Sequence, residues 1–591
     1  MYCMKSLKVL IVRVGAYFTL LLIVAPTQAF GQMDSGAPVI TSLQIWGNQA
    51  ASGSSLKALM VTRASPWYDF LPKVQARRYD AVTFGADLKR LREYYRDLGY
   101  FEATVDSTIE HAREDQVRLH VRIEEGPLTR IARTGVVGAV EVEGALASLE
   151  GGPLAREDVL DAVEKIVNQL RDAGYAFAKG EVETAFSDDG AEVVLNLEPG
   201  AVCTLANVEI VGNQDVSQRT ILSGLTFRSG DPFRGRDLRD SQRHLYRSGV
   251  FRSVALGVSD SLSTGNRVGV QVQVSERPFR SVRLGGGFDT DEDMWASAAW
   301  MHRNFGGGAR QLRLSGRISG QNREAVVGLR ESYFLDSRNW LNVSGFLQRE
   351  RQATFEQDEL GGNLALERNI AEGADLVLHA SGGVVDFSAD SAFTEVGVRV
   401  FVDTRDDVFD PQQGILAQIN LRERGQLLKA DEEFLQATAE SRWFVRIPLQ
   451  SVLAFRAQGG VIFELGKAGG VRPVERFFAG GLNSLRGWAL DEVGPKDANN
   501  DPLGGLTRVE MSLEVRTRIL PFVGTALFVD VGNVHSDLGA FKPKDLKWSV
   551  GAGLRYLSPI GPIRYDVGVR LSGDRPGVGR TQHHISLGQA F

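Results

Sequence analysis

The sequence predicts three α+β modules of β-α-α-β-β order, followed by a transmembrane antiparallel β-barrel of about sixteen strands. Three observations point there. A helix-and-strand pattern recurs every 75 residues in the first half. Period-two alternation of apolar and polar residues replaces it in the second half. Glycine supplies 65 of 591 residues, well above the usual level of about 7%, as turn-rich β structure tolerates and helices do not. A hydrophobic content of 43% with 24% charged residues excludes a disordered or collagen-like chain. The net charge of −6, with both signs interspersed, argues against a nucleic-acid footprint. Two cysteines, Cys3 and Cys203, cannot build a disulfide framework or a four-cysteine zinc site.

Residues 1–31 have the pattern of a secretory signal peptide. Lys5, Lys8 and Arg13 precede an apolar run from Val14 to Ala25, and small residues follow at Thr27, Ala29 and Gly31. Twelve apolar residues are short for a spanning helix, which needs about 20. Cleavage would remove Cys3 and leave Cys203, expected as a small buried side chain. No later stretch reaches 18 uninterrupted apolar residues, so the remaining membrane option is a barrel.

Three segments carry the repeat: YYRDLGYF (94–101), QLRDAGYA (169–176) and HLYRSGVF (244–251). Their glycines, Gly99, Gly174 and Gly249, each close a helical pattern, where a left-handed residue is expected. Leu88, Leu91, Tyr95 and Leu98 share one face in the first repeat, and Thr83 is placed to cap it. Leu160, Val163, Val167 and Leu170 mark the second, and Leu238 and Leu245 the third. Opening strands are expected at 39–48, 139–144 and 203–213, and closing strands at 117–127, 192–200 and 267–278. The boundaries read 36–127, 128–200 and 201–278 for the modules and 279–591 for the barrel.

In the barrel half, Val509, Met511, Leu513, Val515 and Ile519 alternate with Arg508, Glu510, Ser512, Glu514, Arg516 and Arg518. The segments 547–556 and 563–571 alternate in the same way. Faces this charged suit a wet lumen, with the apolar faces toward lipid. One loop, between about Leu465 and Thr507, is unusually long, and long loops are commonly functional. Its centre reads FFAGGLNSLRGWALDEVGP (477–495). A turn centred near Phe522 would place Glu514 opposite Asp530 on the lumen face. Like charges there need a cation. Arg486 of the loop fits, because a guanidinium fork can bind two carboxylates. Arg508, Arg516 and Arg518 are rival partners.

The repeated module resembles a POTRA domain. Three of them before a glycine-rich barrel resemble the BamA/TamA outer-membrane assembly superfamily. SLRGW (484–488) is similar to its R-G-aromatic loop motif, with Trp488 where Phe or Tyr is commoner. LFVDVGNV (527–534), SVGAGLRYLSPIGPIRYDVG (549–568) and DTRDDVFDPQQG (403–414) resemble its other signatures. The resemblance implies a loop lock of Arg486, Gly487, Trp488, Glu514 and Asp530. It implies a lateral seam at Leu284 and Gly286 on the first strand and at Ile585, Leu587, Gly588 and Phe591 on the last. It further implies assembly of unfolded outer-membrane β-barrel clients, autotransporter-like among them, into the lipid bilayer. Length and three modules resemble the TamA type, and so imply a TamB-like inner-membrane-anchored periplasmic partner. The central BamA type typically carries five modules. The alternative, a two-partner secretion translocator exporting a soluble exoprotein, usually has two modules and an N-terminal plug helix. Here about ten residues separate the leader from the first strand.

No enzymatic constellation emerges. No G-x-S-x-G elbow is present. His583 and His584 are adjacent and point to opposite faces of a strand. DTDED (289–293) lacks the glycine and closing glutamate of a calcium loop and reads as a hairpin tip. FGGG (305–308) lacks the Lys-Ser/Thr of a phosphate loop. No metal and no cofactor is expected.

Overall fold

The computed structural model describes residues 37–66, 76–138, 144, 146–351, 355–386, 391–425, 432–466, 470–520, 522–558, 561–572 and 581–587. The leader at 1–31 lies outside these residues, as do Gly588 and Phe591 of the expected seam. The chain divides into two compact units. The first holds most of the first two modules, and the second holds the third module with the barrel.

In the first module, β1 (Val39–Trp46), α1 (Gly53–Leu59), α2 (Ala81–Asp97), β2 (Thr104–Arg113) and β3 (Gln116–Glu124) follow in order. The closing strand sits centrally, in the order β1-β3-β2, parallel to β1 and antiparallel to β2. Its alternation buries Val117, Leu119, Val121 and Ile123 beneath Phe84, Leu91 and Tyr95 of α2. The cap of α2 is Asp80 rather than Thr83. The Asp80 carboxylate accepts from the Thr83 amide at 2.9 Å, three residues on, where an N-cap side chain reaches.

The second module contains β4 (Ile131–Val137), α3 (Arg156–Asp172), β5 (Lys179–Ser187) and β6 (Gly190–Glu198), in sheet order β4-β6-β5. Its opening strand precedes the expected 139–144. Residues 139–143 lie outside the described ones, and Arg133 and Gly135 interrupt the alternation that would have marked β4. Leu160 is exposed. The buried stripe of α3 runs through Val159, Val163, Ile166 and Leu170, about 100° away from it. The third module repeats the design with β7 (Thr204–Val211), α4 (Gln218–Ser223), α5 (Gly235–Arg247), β8 (Phe251–Thr264) and β9 (Arg267–Glu276), ordered β7-β9-β8. Gly99, Gly174 and Gly249 all take positive φ, as helix-closing glycines. Cys203 is buried.

Among the described residues sixteen strands follow, from β10 (Arg280–Asp289) to β25 (Thr581–Leu587), each antiparallel to the next. Met511, Leu513, Ile519, Trp548, Leu554 and Tyr556 stand exposed on the outside, whereas Glu510, Ser512, Glu514 and Arg516 are buried inside. The third module seats on one rim of this wall. Tyr333 of a barrel turn enters the module's core, and Arg247 of α5 binds Asp375 at 2.8 Å while covering Trp340.

Among the described residues the barrel is nearly closed, with β10 beside β25. Consecutive strands share ladders, whereas no ladder joins β10 to β25 among the described residues. One backbone bond crosses there, from the Thr290 amide to the Ile585 carbonyl at 3.2 Å.

Candidate functional site

The site involves β20 (Ser451–Glu464), β21 (Thr507–Leu520), β22 (Val523–His535), β23 (Lys547–Ser558) and β24 (Gly561–Arg570). The long loop between β20 and β21 folds into the barrel. Leu485, Trp488, Phe477 and Val493 of the loop pack with Phe434, Ile462 and Val534 of the wall. The lumen beside the loop is therefore an apolar cluster, where the alternation alone had suggested water.

Arg486 is 1% exposed. Each of its five guanidinium N–H donors has an acceptor. Nε donates to Asp530 Oδ2 at 2.9 Å and Nη2 to Asp530 Oδ1 at 2.7 Å, a bidentate fork. Nη1 donates to Glu514 at 2.6 Å and to Asp566 at 3.5 Å, and Nη2 also reaches the Ser512 hydroxyl at 3.1 Å. The guanidinium carbon lies 3.4 Å from the centroid of the Phe528 ring, and the backbone N–H donates to Asp530 at 3.1 Å.

The register differs from the sequence reading by two residues. Ser512, not Glu514, lies opposite Asp530, and Glu514 faces Phe528. Leu520 pairs with Val523, one residue off a turn centred on Phe522, and a bulge between Arg518 and Leu520 adds the second residue. The two carboxylates are diagonal neighbours on one face, and the guanidinium spans them. Of the rivals, Arg516 also binds Glu514, at 2.8 Å. Arg508 lies 3.6 Å from Glu510, and Arg518 pairs with Asp410.

Sequence reasoning missed the third carboxylate and two further arginines. Asp566 on β24 meets Arg486, Arg555 and Arg564, the last at 2.9 Å. Four guanidinium groups thus share three carboxylates in a buried cluster, so that none of the acids is left without a cation. The available signal was the charged inward face of β24, Arg564 and Asp566. Assigning partners to those charges requires the register of four strands.

Glycines make room for the loop. A Cβ on Gly568 would overlap the Arg486 carbonyl, and one on Gly551 would overlap the Phe528 ring. Gly487 brings the loop so close to the wall that an added Cβ would lie 2.6 Å from Ser549 Cβ. Trp488 is covered by Arg570, which donates to the Gly487 carbonyl at 2.6 Å and pairs with Glu492. A second buried ion cluster holds the loop's start. Glu475 binds Arg422, at 2.8 Å, and Arg424, which both also face Glu395.

At the expected seam, Leu284 and Gly286 on β10 and Ile585 on β25 are exposed, and Leu587 is half-buried. His583 faces outward and accepts from the Tyr565 hydroxyl or donates to it, at 2.8 Å. His584 points inward to the loop, its Nε2 lying 3.0 Å from the Arg486 carbonyl oxygen. DTDED forms the tip between β10 and β11 (Asp293–His302).

Comparison with known proteins adds a family. Residues 304–591 match the Omp85 superfamily domain, and residues 38–126 and 204–277 match the surface antigen variable number repeat, POTRA. The chain is 23% identical over 535 residues to the outer membrane protein assembly factor BamA of Nitratidesulfovibrio vulgaris, covering 85% of this chain and 67% of that one. It is 23% identical over 568 residues to the BamA of Neorickettsia risticii, covering 90% of this chain and 76% of that one. Its fold is similar to the crystal structure of Haemophilus ducreyi BamA lacking POTRA domains 1–3. The TM-score is 0.57 at 18% identity, covering 78% of this chain and 99% of the other.

Proposed function

We infer, from the premise that this chain belongs to the Omp85 superfamily in its BamA/TamA-like form, that it is an assembly factor for outer-membrane proteins. Its barrel sits in the outer membrane and its POTRA modules in the periplasm. The work is non-covalent. Client β-barrel segments are held extended, aligned and passed into the bilayer.

One observation carries this reading: β10 and β25 are barrel edges that share no ladder among the described residues. Unpaired strand edges template new strands. A client hairpin could therefore add at the seam lined by Leu284, Gly286, Ile585 and Leu587; Gly588 and Phe591 of the expected seam lie outside the described residues. The three-stranded module sheets offer a further edge to an extended segment, since β-strand addition supplies backbone bonds whatever the client's sequence. The Arg486 lock holds the loop inside the barrel while the seam works. Three modules, at the boundaries given above, support a restricted client set, autotransporter-like barrels, and a TamB-like inner-membrane-anchored partner.

The test is quantitative proteomics of the outer membrane and medium after depletion. Selective loss of a few membrane-embedded barrels is the expected result. Broad loss of most barrels would make the chain a general assembly factor. Loss of one secreted protein with all membrane barrels unchanged would overturn the reading in favour of a translocator.

A further inference from the structure

The docked loop touches both edges of the nearly closed barrel. Its Leu482 peptide is held from two sides. The N–H donates to Asp291 Oδ2 at 2.7 Å, at the tip of the first hairpin, and the carbonyl accepts from Arg564 Nη2 of β24 at 2.6 Å. Gly481 lies so near that an added Cβ would come within 2.6 Å of the same Asp291 oxygen, and its φ of +98° suits glycine.

A second bridge runs through His584. A carbonyl can only accept, so Nε2 carries the proton toward the Arg486 oxygen. Nδ1 of the neutral ring is then the acceptor for the Thr290 hydroxyl, 3.2 Å away. Asp291 Oδ1 stands 3.8 Å from that same nitrogen. The first hairpin, the last strand and the arginine loop thus meet at His584. Among the described residues one backbone bond joins the first hairpin and the last strand directly.

We propose that Asp291 and His584 are positioning residues that make the arginine loop a clasp across the seam, so that the docked loop holds the unpaired β10 and β25 edges close together. The proposal rests on the assembly reading above, in which that seam receives the client. Arg486 fixes the loop to β21, β22 and β24, on the last-strand side. Asp291 ties the first hairpin to that fixed loop, and His584 ties in the final strand. Releasing the loop frees both edges. Releasing only Asp291 and His584 frees the edges while Arg486 stays bound.

The experiment uses the full chain in bilayers, with Cys203→Ser and spin labels at Leu284→Cys and Ile585→Cys, both outward-facing sites. Pulsed electron resonance reads the distance across the seam. The parent should give one dominant distance. Asp291→Ala/His584→Ala should raise the population at longer distance about tenfold, as loss of about 1.4 kcal/mol implies. The loop should stay protease-resistant, because Arg486 is untouched. Asp291→Asn/His584→Gln keeps an acceptor for Leu482 and a donor for the Arg486 carbonyl, and should restore the parental distribution. A general loss of packing would not be rescued this way. If the alanine pair does not give a heat-resistant barrel, Asp291→Ala alone, a change in a turn, is read identically. A distance distribution unchanged by these substitutions overturns the clasp. A seam that opens as described in a protein whose depletion leaves every membrane barrel intact supports the clasp and overturns the assembly reading instead.

Discussion

Replacing Arg486 by alanine removes all five guanidinium contacts at once, and the structure says which acid suffers. Glu514 keeps Arg516 at 2.8 Å, and Asp566 keeps Arg564 at 2.9 Å. Asp530 keeps the Ser512 hydroxyl at 2.6 Å but loses its bidentate cation. It is 1% exposed in the parent, and the backbone N–H of residue 486 is its other remaining donor, so its charge is left without a cation. Breaking a buried ion pair by deleting one partner costs about 3–5 kcal/mol. Against this stands the apolar packing of Phe477, Leu485, Trp488 and Val493, together about 8 kcal/mol as an upper figure. The apolar term is the larger. The loop therefore stays mainly docked, while its undocked fraction rises by about two to three and a half orders of magnitude.

Limited trypsin digestion in native membranes reads that fraction through cleavage at Arg476 and Lys496 on the loop. Heat-modifiable migration on gels reads the barrel separately, and it should be unchanged. Arg486→Lys restores a point charge without the fork and should fall between parent and alanine. Arg486→Ala/Asp530→Asn removes the orphaned charge and should recover part of the protection, because an amide is far cheaper to bury than an unpaired carboxylate. A loop as protected in Arg486→Ala as in the parent, or a double variant looser than the single, would refute this account of the lock. Wild-type assembly activity in Arg486→Ala would remove the lock from the mechanism.

Gly487→Ala should loosen the loop by about 1–3 kcal/mol through overlap with Ser549; Ser549→Gly in the same chain should restore protease resistance. Glu475→Gln weakens the second anchor at Arg422 and Arg424, and should expose the start of the loop to trypsin while leaving the Arg486 region protected. Burial pushes the His244 imidazole of the third module down to about 4 from its usual 6.5. The unfolded chain then binds the proton first, so the stabilisation is complete above pH 6.5 and is lost as pH falls toward 4, about 3 kcal/mol in all. Amide protection factors of the third module, taken relative to the intrinsic exchange rate at each pH, should fall between pH 7.5 and 5, and His244→Met should flatten that dependence. Gly47, at φ +83°, abuts the Ile123 backbone carbonyl, so Gly47→Ala should speed exchange in β1 and β3 of the first module and leave the barrel untouched.

What the amino-acid order alone determines here is whatever repeats at short range. Helix-closing glycines 75 residues apart mark three modules, and period-two alternation marks a wall with a lipid face and an inner face. These signals survive because each depends on a residue and its near neighbours along the chain. They blur where the pattern is interrupted, as at Arg133 and Gly135 of β4, or where two candidate stripes compete, as with Leu160 beside Val159. Arg486, Glu514 and Asp530 were legible as one cluster because face and charge are local properties. Their pairing was not: the pairing of Leu520 with Val523 moves the register by one residue and the bulge near Ile519 by another, which puts Ser512 opposite Asp530. Asp566, Arg555 and His584 enter only when the five strands β21 to β25 and a loop are laid side by side. Hydrogen bonds and ion pairs are decided over a few ångströms in space, and chain distances of 28 to 98 residues separate Arg486 from Glu514 and His584. The local pattern chooses the face of each residue; only the closed wall and the inserted loop choose its partner.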